Sequence, residues 1–374
     1  MFSVAESDAL HTRVRAFMAA SLRGEATEPF DVLALDLARF QAAHVPAIAR
    51  LWRARGASIE EARDASRIPA VPSDVFRLAR IAAHPRGLDV ALFRTSGTSQ
   101  GTEARGEHPM RTTETYERGA LAWGERFLWP DRADLQAIVL APPITEQGDS
   151  SLGFMLDRFA HRLARPPVFV IHRGADGEGA IDFGGIARAT AEARQSGHAV
   201  LVLATSFALV HLIEGAGGLD LRIPPGSRVM QTGGFKGKSR EIAADVLRRM
   251  VAETFSVNEA HVVSEYGMTE LSSQLYEGTL AGALGHGAKL PHGVFVTPPW
   301  VRVTPVDPVS LDPVASGEVG IGRIVDLANV DSSVAIQTAD RVRLVAGGVE
   351  LLGRLPGAAP RGCSIAIDDM LGRA

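Results

Sequence analysis

Five stretches of this sequence carry residue types that could do chemistry. "RTSGTSQGTEARGEH" (Arg94 to His108) gathers the hydroxyls of Thr95, Ser96, Thr98 and Ser99 around Gly97 and Gly101. Hydroxyl and backbone N–H donors on a glycine-freed loop can wrap phosphate oxygens. It is not a Walker loop, because no Gly-Lys-Ser/Thr follows, and an ordinary surface loop has a similar composition. "SEYGMTELSSQ" (Ser264 to Gln274) offers a flat ring at Tyr266, close backbone approach at Gly267, a hydroxyl at Thr269 and a carboxylate suited to Mg2+ at Glu270. In "QTGGFKGKSRE" (Gln231 to Glu241), the Gly233-Gly234 turn either admits a planar ligand or simply reverses the chain. "QTADR" places Asp340 where a carboxylate could hold the two hydroxyls of a ribose, or merely sit in a turn. The sole cysteine, Cys363, lies in the closing "GRLPGAAPRGCSIAIDDMLGRA". A thiol there is either a nucleophile or a small buried hydrophobe.

Elements to position these residues follow from the hydrophobic spacing. "ALHTRVRAFMAASL" and "FDVLALDLARFQAAHVPAIARLWRARG" repeat apolar residues at three- and four-residue intervals, which predicts a helical lead-in over residues 1–80 with Gly56 as a stop. Short β-type runs then alternate with amphipathic segments: "VALF" from Val90, "AIVLAPP" from Ala137, "VFVIH" from Val168, "AVLVLA" from Ala199, "RVMQTGG" from Arg228 and "HVVSEYG" from His261. Helices are predicted between them at Ile186 to Gln195, stopped by Gly197, and at Ser239 to Thr254. This alternation over residues 81–290 implies an α/β domain with a largely parallel sheet, whose function-bearing loops sit at the strand C-termini. Residues 291–350 read as a β-rich subdomain, and 351–374 as a turn-rich tail carrying Cys363.

Composition narrows the partners. With 374 residues, 46% of them hydrophobic, the chain can bury a large core. Its 43 acidic and 39 basic residues leave a formal net charge of −4, which gives no electrostatic reason to expect nucleic acid. One cysteine excludes an intramolecular disulfide, and charges at Glu6, Asp8, Arg13 and Arg15 interrupt the apolar run a signal peptide needs. The apolar stretch Ala199 to Ile213 falls short of a membrane span. A cytoplasmic protein acting on a small molecule or a protein partner is expected.

The order of the motifs is more specific than any one of them. A hydroxyl/Gly loop, a Gly-Gly turn, Tyr-Gly-Met-Thr-Glu and Thr-x-Asp follow one another as in adenylate-forming enzymes. The chain resembles the acyl- and aryl-CoA ligase superfamily, and within it the acyl-protein synthetase (LuxE-type) family. The resemblance to that branch rests on "IPAVPSDVF" at 68–76, "SSLGFMLD" at 150–157, "TSFAL" at 205–209, "TGGFKG" at 232–237 and "RGCS" at 361–364. It covers nearly the whole chain. It implies the α/β fold of an adenylate-forming N-terminal domain, with mixed parallel sheets and flanking helices, plus a β-rich C-terminal subdomain and without the large mobile C-terminal domain.

The resemblance also implies roles. Thr95 to Ser99 would hold ATP phosphates, Tyr266 with Gly233-Gly234 would frame adenine, Thr269 would touch the α-phosphate, Glu270 would hold Mg2+, and Asp340 would hold the ribose. Phe154, Met155, Ser206 and Phe207 would line the acyl group, although the apolar three are equally good core residues. The acyl group would pass from the adenylate to Cys363, with Arg354 and Arg361 lowering the thiol pKa and Gly357 and Gly362 freeing the tail. It would then go to an acyl-accepting protein, an acyl carrier protein or a reductase subunit. The sequence departs from the superfamily by having no lysine after Lys289, so the role of a C-terminal lysine is vacant or falls to Arg354, Arg361, Lys236 or Lys238. A second reading therefore stays open, in which acyl-CoA loads Cys363 without ATP for transfer to a carrier protein. A non-catalytic scaffold is a third.

Overall fold

The N-terminal periodicity folds into three helices, α1 (Val4–Leu22), α2 (Phe30–His44) and α3 (Pro46–Ala54). The spacing alone reads Phe30 to Gly56 as one run, yet the chain bends by 111° between α2 and α3. Val45 is extended there (φ −114°, ψ 99°), because the ring of Pro46 disfavours the helical conformation in the residue before it. Pro46 then opens α3 where no N–H is required. The computed structural model describes residues 2–25, 28–56, 58–95, 105–146, 148–174, 179–233, 242–356 and 361–372, with Arg361 and Gly362 described by backbone alone.

After β1 (Val71–Pro72) come the hairpin strands β2 (Ala91–Arg94) and β3 (Glu107–Met110), then α4 (Glu114–Leu128), β4 (Gln136–Leu140) and α5 (Ser151–Arg162). The predicted run "VFVIH" splits at Val170 into β5 (Val168–Phe169) and β6 (Ile171–Arg173), the latter pairing with β7 (Gly179–Ile181). Then follow α6 (Phe183–Ser196), β8 (Val200–Thr205), α7 (Ser206–Gly215), β9 (Arg228–Thr232), α8 (Ala244–Phe255) and β10 (Val262–Tyr266). Asp182 caps α6 by accepting from the Gly185 N–H at 2.7 Å, and Gly197 ends it in the left-handed region (φ 69°). The last elements are β11 (Leu275–Glu277), α9 (Thr279–Ala283), β12 (Val294–Val296), β13 (Val301–Val306), β14 (Val319–Asp326), β15 (Ala335–Val345), β16 (Gly348–Arg354) and α10 (Arg361–Leu371).

One sheet of 12 strands organises the molecule, in the order β13-β14-β15-β16-β12-β11-β10-β9-β8-β4-β5, with β1 added parallel to β15. Strands β5, β4, β8, β9 and β10 are mutually parallel, and beyond β10 the pairing is antiparallel. The sheet therefore runs without a break from the α/β part into the β-rich part. Alternation along β8 sends Leu201 and Leu203 into a core packed by α1 to α5, and Val200, Val202 and Ala204 into a second core under α6, α7 and α8.

The N-terminal helices also brace a loop that matters below. Ser7 and His11 of α1 bond the carboxylate of Asp331 at 2.5 and 2.9 Å, and Arg111 approaches it at 3.2 Å. Gln41 of α2 donates to the carbonyls of Asn329 and Val330 and accepts from the Val334 N–H. Among the described residues no single helix is long and apolar enough to cross a membrane.

Candidate active site

The C-termini of three adjacent parallel strands set the frame. Thr205 of β8, Thr232 of β9 and Glu265 of β10 lie in register. Each strand runs directly into a sequence motif, as expected for an open α/β sheet. Gly233 turns the chain after β9 with φ 76°, a conformation glycine adopts without a Cβ penalty. Ser206, at the start of α7, donates to the Gly233 carbonyl at 2.8 Å and so ties two of the three strand ends together. Phe207, beside it, is exposed and packs edge-on against His211 at 4.3 Å. Gly234, Lys236 and Lys238 lie outside the described residues.

Tyr266 and Asp340, distant in sequence, meet directly. The phenol donates to Asp340 Oδ2 at 2.8 Å, and the Asp340 N–H donates to Thr338 Oγ1 at 3.1 Å. Burial, with the charges of Asp340 and Glu270 nearby, pushes the Tyr266 phenol pKa well up, so it stays a donor. The next turn is held from behind. His108 Nδ1–H donates to the Thr269 carbonyl at 2.6 Å, and its Nε2 accepts from Ser332 Oγ at 2.9 Å. A carbonyl can only accept, so this pair of bonds fixes the Nδ1–H tautomer. Burial holds the ring pKa down to about 4, keeping it neutral. Asn329 Nδ2 donates to the Glu270 carbonyl at 2.9 Å. Asp326, fully buried, accepts from the Ser272 N–H and Ser273 Oγ at 2.9 and 2.7 Å. Glu270 itself is buried.

His108 also belongs to the hairpin that carries the hydroxyl/Gly loop, standing opposite Phe93 in the β2–β3 register. At the base of that loop Thr95 Oγ1 accepts from the Gly106 N–H at 2.9 Å, and the Thr95 N–H donates to the Gly106 carbonyl at 3.0 Å. Arg105 bonds the Thr95 carbonyl at 2.6 Å and Asp149 at 2.7 Å. Thr95 therefore clamps the neck of the loop. Ser96, Gly97, Thr98 and Ser99 lie outside the described residues. Sequence reasoning missed His108, Asn329 and Asp326 as organisers of the site. The only local signal was the place of His108 three residues beyond Arg105, at the loop's exit.

On the sheet face toward α4 and α5, Phe154 and Met155 are packed into the main core. Phe154 stacks on Tyr116 (5.6 Å between centroids, 27°), and Met155 Sδ lies 4.0 Å from the Tyr276 hydroxyl. They serve the core. Glu265, buried at the end of β10, was passed over by sequence reasoning. Its Oε2 accepts from Thr232 Oγ1, and burial raises its carboxyl to about 7. An acid whose pKa is raised in the folded state binds its proton more tightly there than when unfolded. The associated stability is full below about pH 4 and is lost as pH rises through about 7. Glu265→Gln keeps the shape without the charge. Its melting temperature is expected to gain on wild type between pH 5 and pH 8, by the equivalent of about 2 to 3 kcal/mol at the alkaline end. Parallel melting curves would contradict this.

Cys363 departs most from expectation. The tail is helical, as α10, and the thiol is buried (4% exposed) against Val306 and Ile321, with Leu311 and Leu355 beside them. Burial, reinforced by Asp74, pushes the thiol pKa up to about 11; Arg55 is the cation that counters it. The expected lowering by Arg354 does not occur. Arg354 is exposed and stands opposite Asp340 across β15 and β16, and the Arg361 side chain and Gly357 lie outside what is described. Leu355 links the two places, since its N–H donates to the Ala339 carbonyl at 2.9 Å.

No protein-family model matches this sequence, and no curated protein matches it. Solved structures do share its architecture. An open conformation of 2-hydroxyisobutyryl-CoA ligase in complex with 2-HIB-AMP and CoA is 14% identical, with 87% of this chain and 69% of the ligase covered and a TM-score of 0.61. The same ligase in the postadenylation state with 2-HIB-AMP is 15% identical, with 87% and 68% covered and a TM-score of 0.61. In the thioesterification state it is 14% identical, with 95% and 69% covered and a TM-score of 0.59. At such identities the likeness is one of fold: the chain has the mixed α/β fold of an adenylate-forming N-terminal domain with its β-rich C-terminal region.

Proposed function

We propose that this protein activates a carboxylic acid as its acyl-adenylate and delivers the acyl group to a thiol. The observation that carries this reading is the bond between Tyr266 and Asp340, 74 residues apart, formed beside the Thr269–Glu270 turn on this fold. Tyr266 would support the adenine, with the Gly233 turn beside it. Asp340 Oδ1 would serve a ribose hydroxyl, because Oδ2 accepts the hydrogen bond from Tyr266. Glu270 would hold Mg2+, a hard cation that takes one or two carboxylates and completes its shell with phosphate oxygens and water. The nucleotide supplies a leaving group: the acid's carboxylate oxygen bonds to the α-phosphorus and pyrophosphate departs. Arg354, exposed opposite Asp340, would supply a cation to the charge on the phosphates.

Cys363 is the acceptor in this reading, and the five spaced motifs of the acyl-protein synthetase branch favour it. The thiolate bonds to the acyl carbon, AMP leaves, and the thiol proton goes to solvent. Because the docked thiol is buried, α10 must first leave its seat, after which a carrier protein or reductase subunit would take the acyl group. The same burial favours a second reading, in which the acceptor is an external thiol such as CoA. Intact protein mass together with analysis of the small molecules, after incubation with a panel of acids, ATP, Mg2+ and CoA, separates them. An acyl adduct at Cys363 is expected; free acyl-CoA without an adduct supports the second. An adduct formed from acyl-CoA in ATP-free buffer would replace adenylation with ATP-independent transfer.

His108 should tune nucleotide use without touching the acid. His108→Phe, which loses both hydrogen bonds, is expected to raise KM for ATP about tenfold while KM for the acid moves little. His108→Asn, which can still donate, is expected to recover part of the loss. Steady-state kinetics of pyrophosphate exchange measure both, and equal shifts in the two KM values would contradict the role.

A further inference from the structure

The floor of the site holds acceptor atoms with hydrogen-bonding capacity to spare. Glu265 is 6% exposed, and among the described residues only Thr232 donates to it, at Oε2. Gln274 is 4% exposed, and its buried Oε1 has no hydrogen-bond partner. Both side chains meet at Gly267. A Cβ there would lie 2.5 Å from Glu265 Oε1 and 3.7 Å from Gln274 Cγ, so the absence of a side chain leaves Oε1 uncovered from that direction. Neighbouring phenols do not fill the need. Tyr116 donates to the Ser151 carbonyl at 3.1 Å, and the Tyr276 hydroxyl points at Met155 Sδ. Both phenols nevertheless feel the charge of Glu265, and Phe154 stacks on Tyr116. Beside these phenols the spot offers two acceptor atoms, Gln274 Oε1 and, once the carboxyl ionises above about pH 7, Glu265 Oε1, which suits a ligand oriented by one polar group.

From these positions we infer that Glu265 and Gln274 select carboxylic acids that carry a hydrogen-bond donor, an amino or hydroxyl group remote from the carboxylate, over the unsubstituted acids. This rests on the reading of the site as acid-activating and gives it a substrate class. Glu265 is a specificity-determining residue: it sits one position before Tyr266, so the remote end of the acid rests on the same strand that ends at the adenylate. A site built to accept a proton donor discriminates strongly against an analogue that leaves its acceptors buried and unpaired.

Matched acids test this: benzoate against 3-hydroxybenzoate and 3-aminobenzoate, and hexanoate against the 6-hydroxy and 6-amino acids. Binding to the wild-type protein is measured by calorimetry, and pyrophosphate exchange is measured in parallel. The wild type is expected to favour a donor-bearing member by about tenfold or more in Kd in at least one series. The hydroxy and amino arms tell a neutral donor from a cation. Glu265→Gln, which turns one acceptor into a donor, is expected to abolish the preference. If that variant does not fold, Gln274→Leu is expected to cut the preference at least about threefold. Equal binding, or none, across every pair, or a preference untouched by the substitution, overturns the inference. Selective binding without exchange would overturn the adenylation reading alone, and exchange without selectivity would overturn this inference alone.

Discussion

Glu270→Gln is expected to lower acid-dependent pyrophosphate exchange about a hundredfold or more, with a melting temperature close to wild type. The turn that presents this residue is held through its backbone groups as well. His108 holds the Thr269 carbonyl, Asn329 holds the Glu270 carbonyl, and Asp326 holds the N–H of Ser272. Gln occupies nearly the same volume, so the backbone should keep its course while the anionic oxygen for a hard cation is lost. Exchange rates titrated with Mg2+ measure this, and the metal concentration for half-maximal rate should rise as the rate falls. A variant as active as wild type at every Mg2+ concentration would remove Glu270 from the site.

Cys363→Ser is expected to abolish stable acylation of the protein while leaving pyrophosphate exchange intact, because activation and capture use different parts of the fold. Capture should be controlled by the docking of α10. Arg50 Nε donates to the Met370 carbonyl at 2.6 Å, and Arg55 lies 4.0 Å from Asp369, so both hold the far end of the helix against α3. With the thiol pKa pushed up to about 11, only about one molecule in a thousand carries a thiolate at pH 8, against roughly a quarter for an unperturbed cysteine. Arg50→Ala should therefore speed modification of Cys363 by a thiol reagent at pH 8 by at least tenfold, up to the order of a hundredfold for complete release. An unchanged rate would mean that this latch does not govern the thiol.

The parts legible in the sequence were those whose cause is local. Alternation in β8, the left-handed stop at Gly197 and the Gly233 turn follow from residue type and spacing. The order of motifs linked Tyr266 with Asp340, and the two side chains are hydrogen-bonded. Pro46 was equally local, and its bend was missed because apolar spacing continues across it. The rest depends on residues far apart in the chain. Whether Phe154 lines a pocket or fills the core is decided by Tyr116, and the state of the Cys363 thiol by Val306 and Ile321. His108 looks like one more histidine until Thr269 and Ser332 are placed on either side of its ring. A tail rich in Gly and Pro reads as mobile, yet Ala366 and Met370 of α10 are buried in the main core.

Acid-dependent exchange of labelled pyrophosphate into ATP by the wild-type protein tests the central claim most directly. Exchange that requires both Mg2+ and a carboxylic acid is predicted, and it should persist in Cys363→Ser and fail in Glu270→Gln. No exchange with any acid, together with acylation of Cys363 from acyl-CoA in ATP-free buffer, would contradict it.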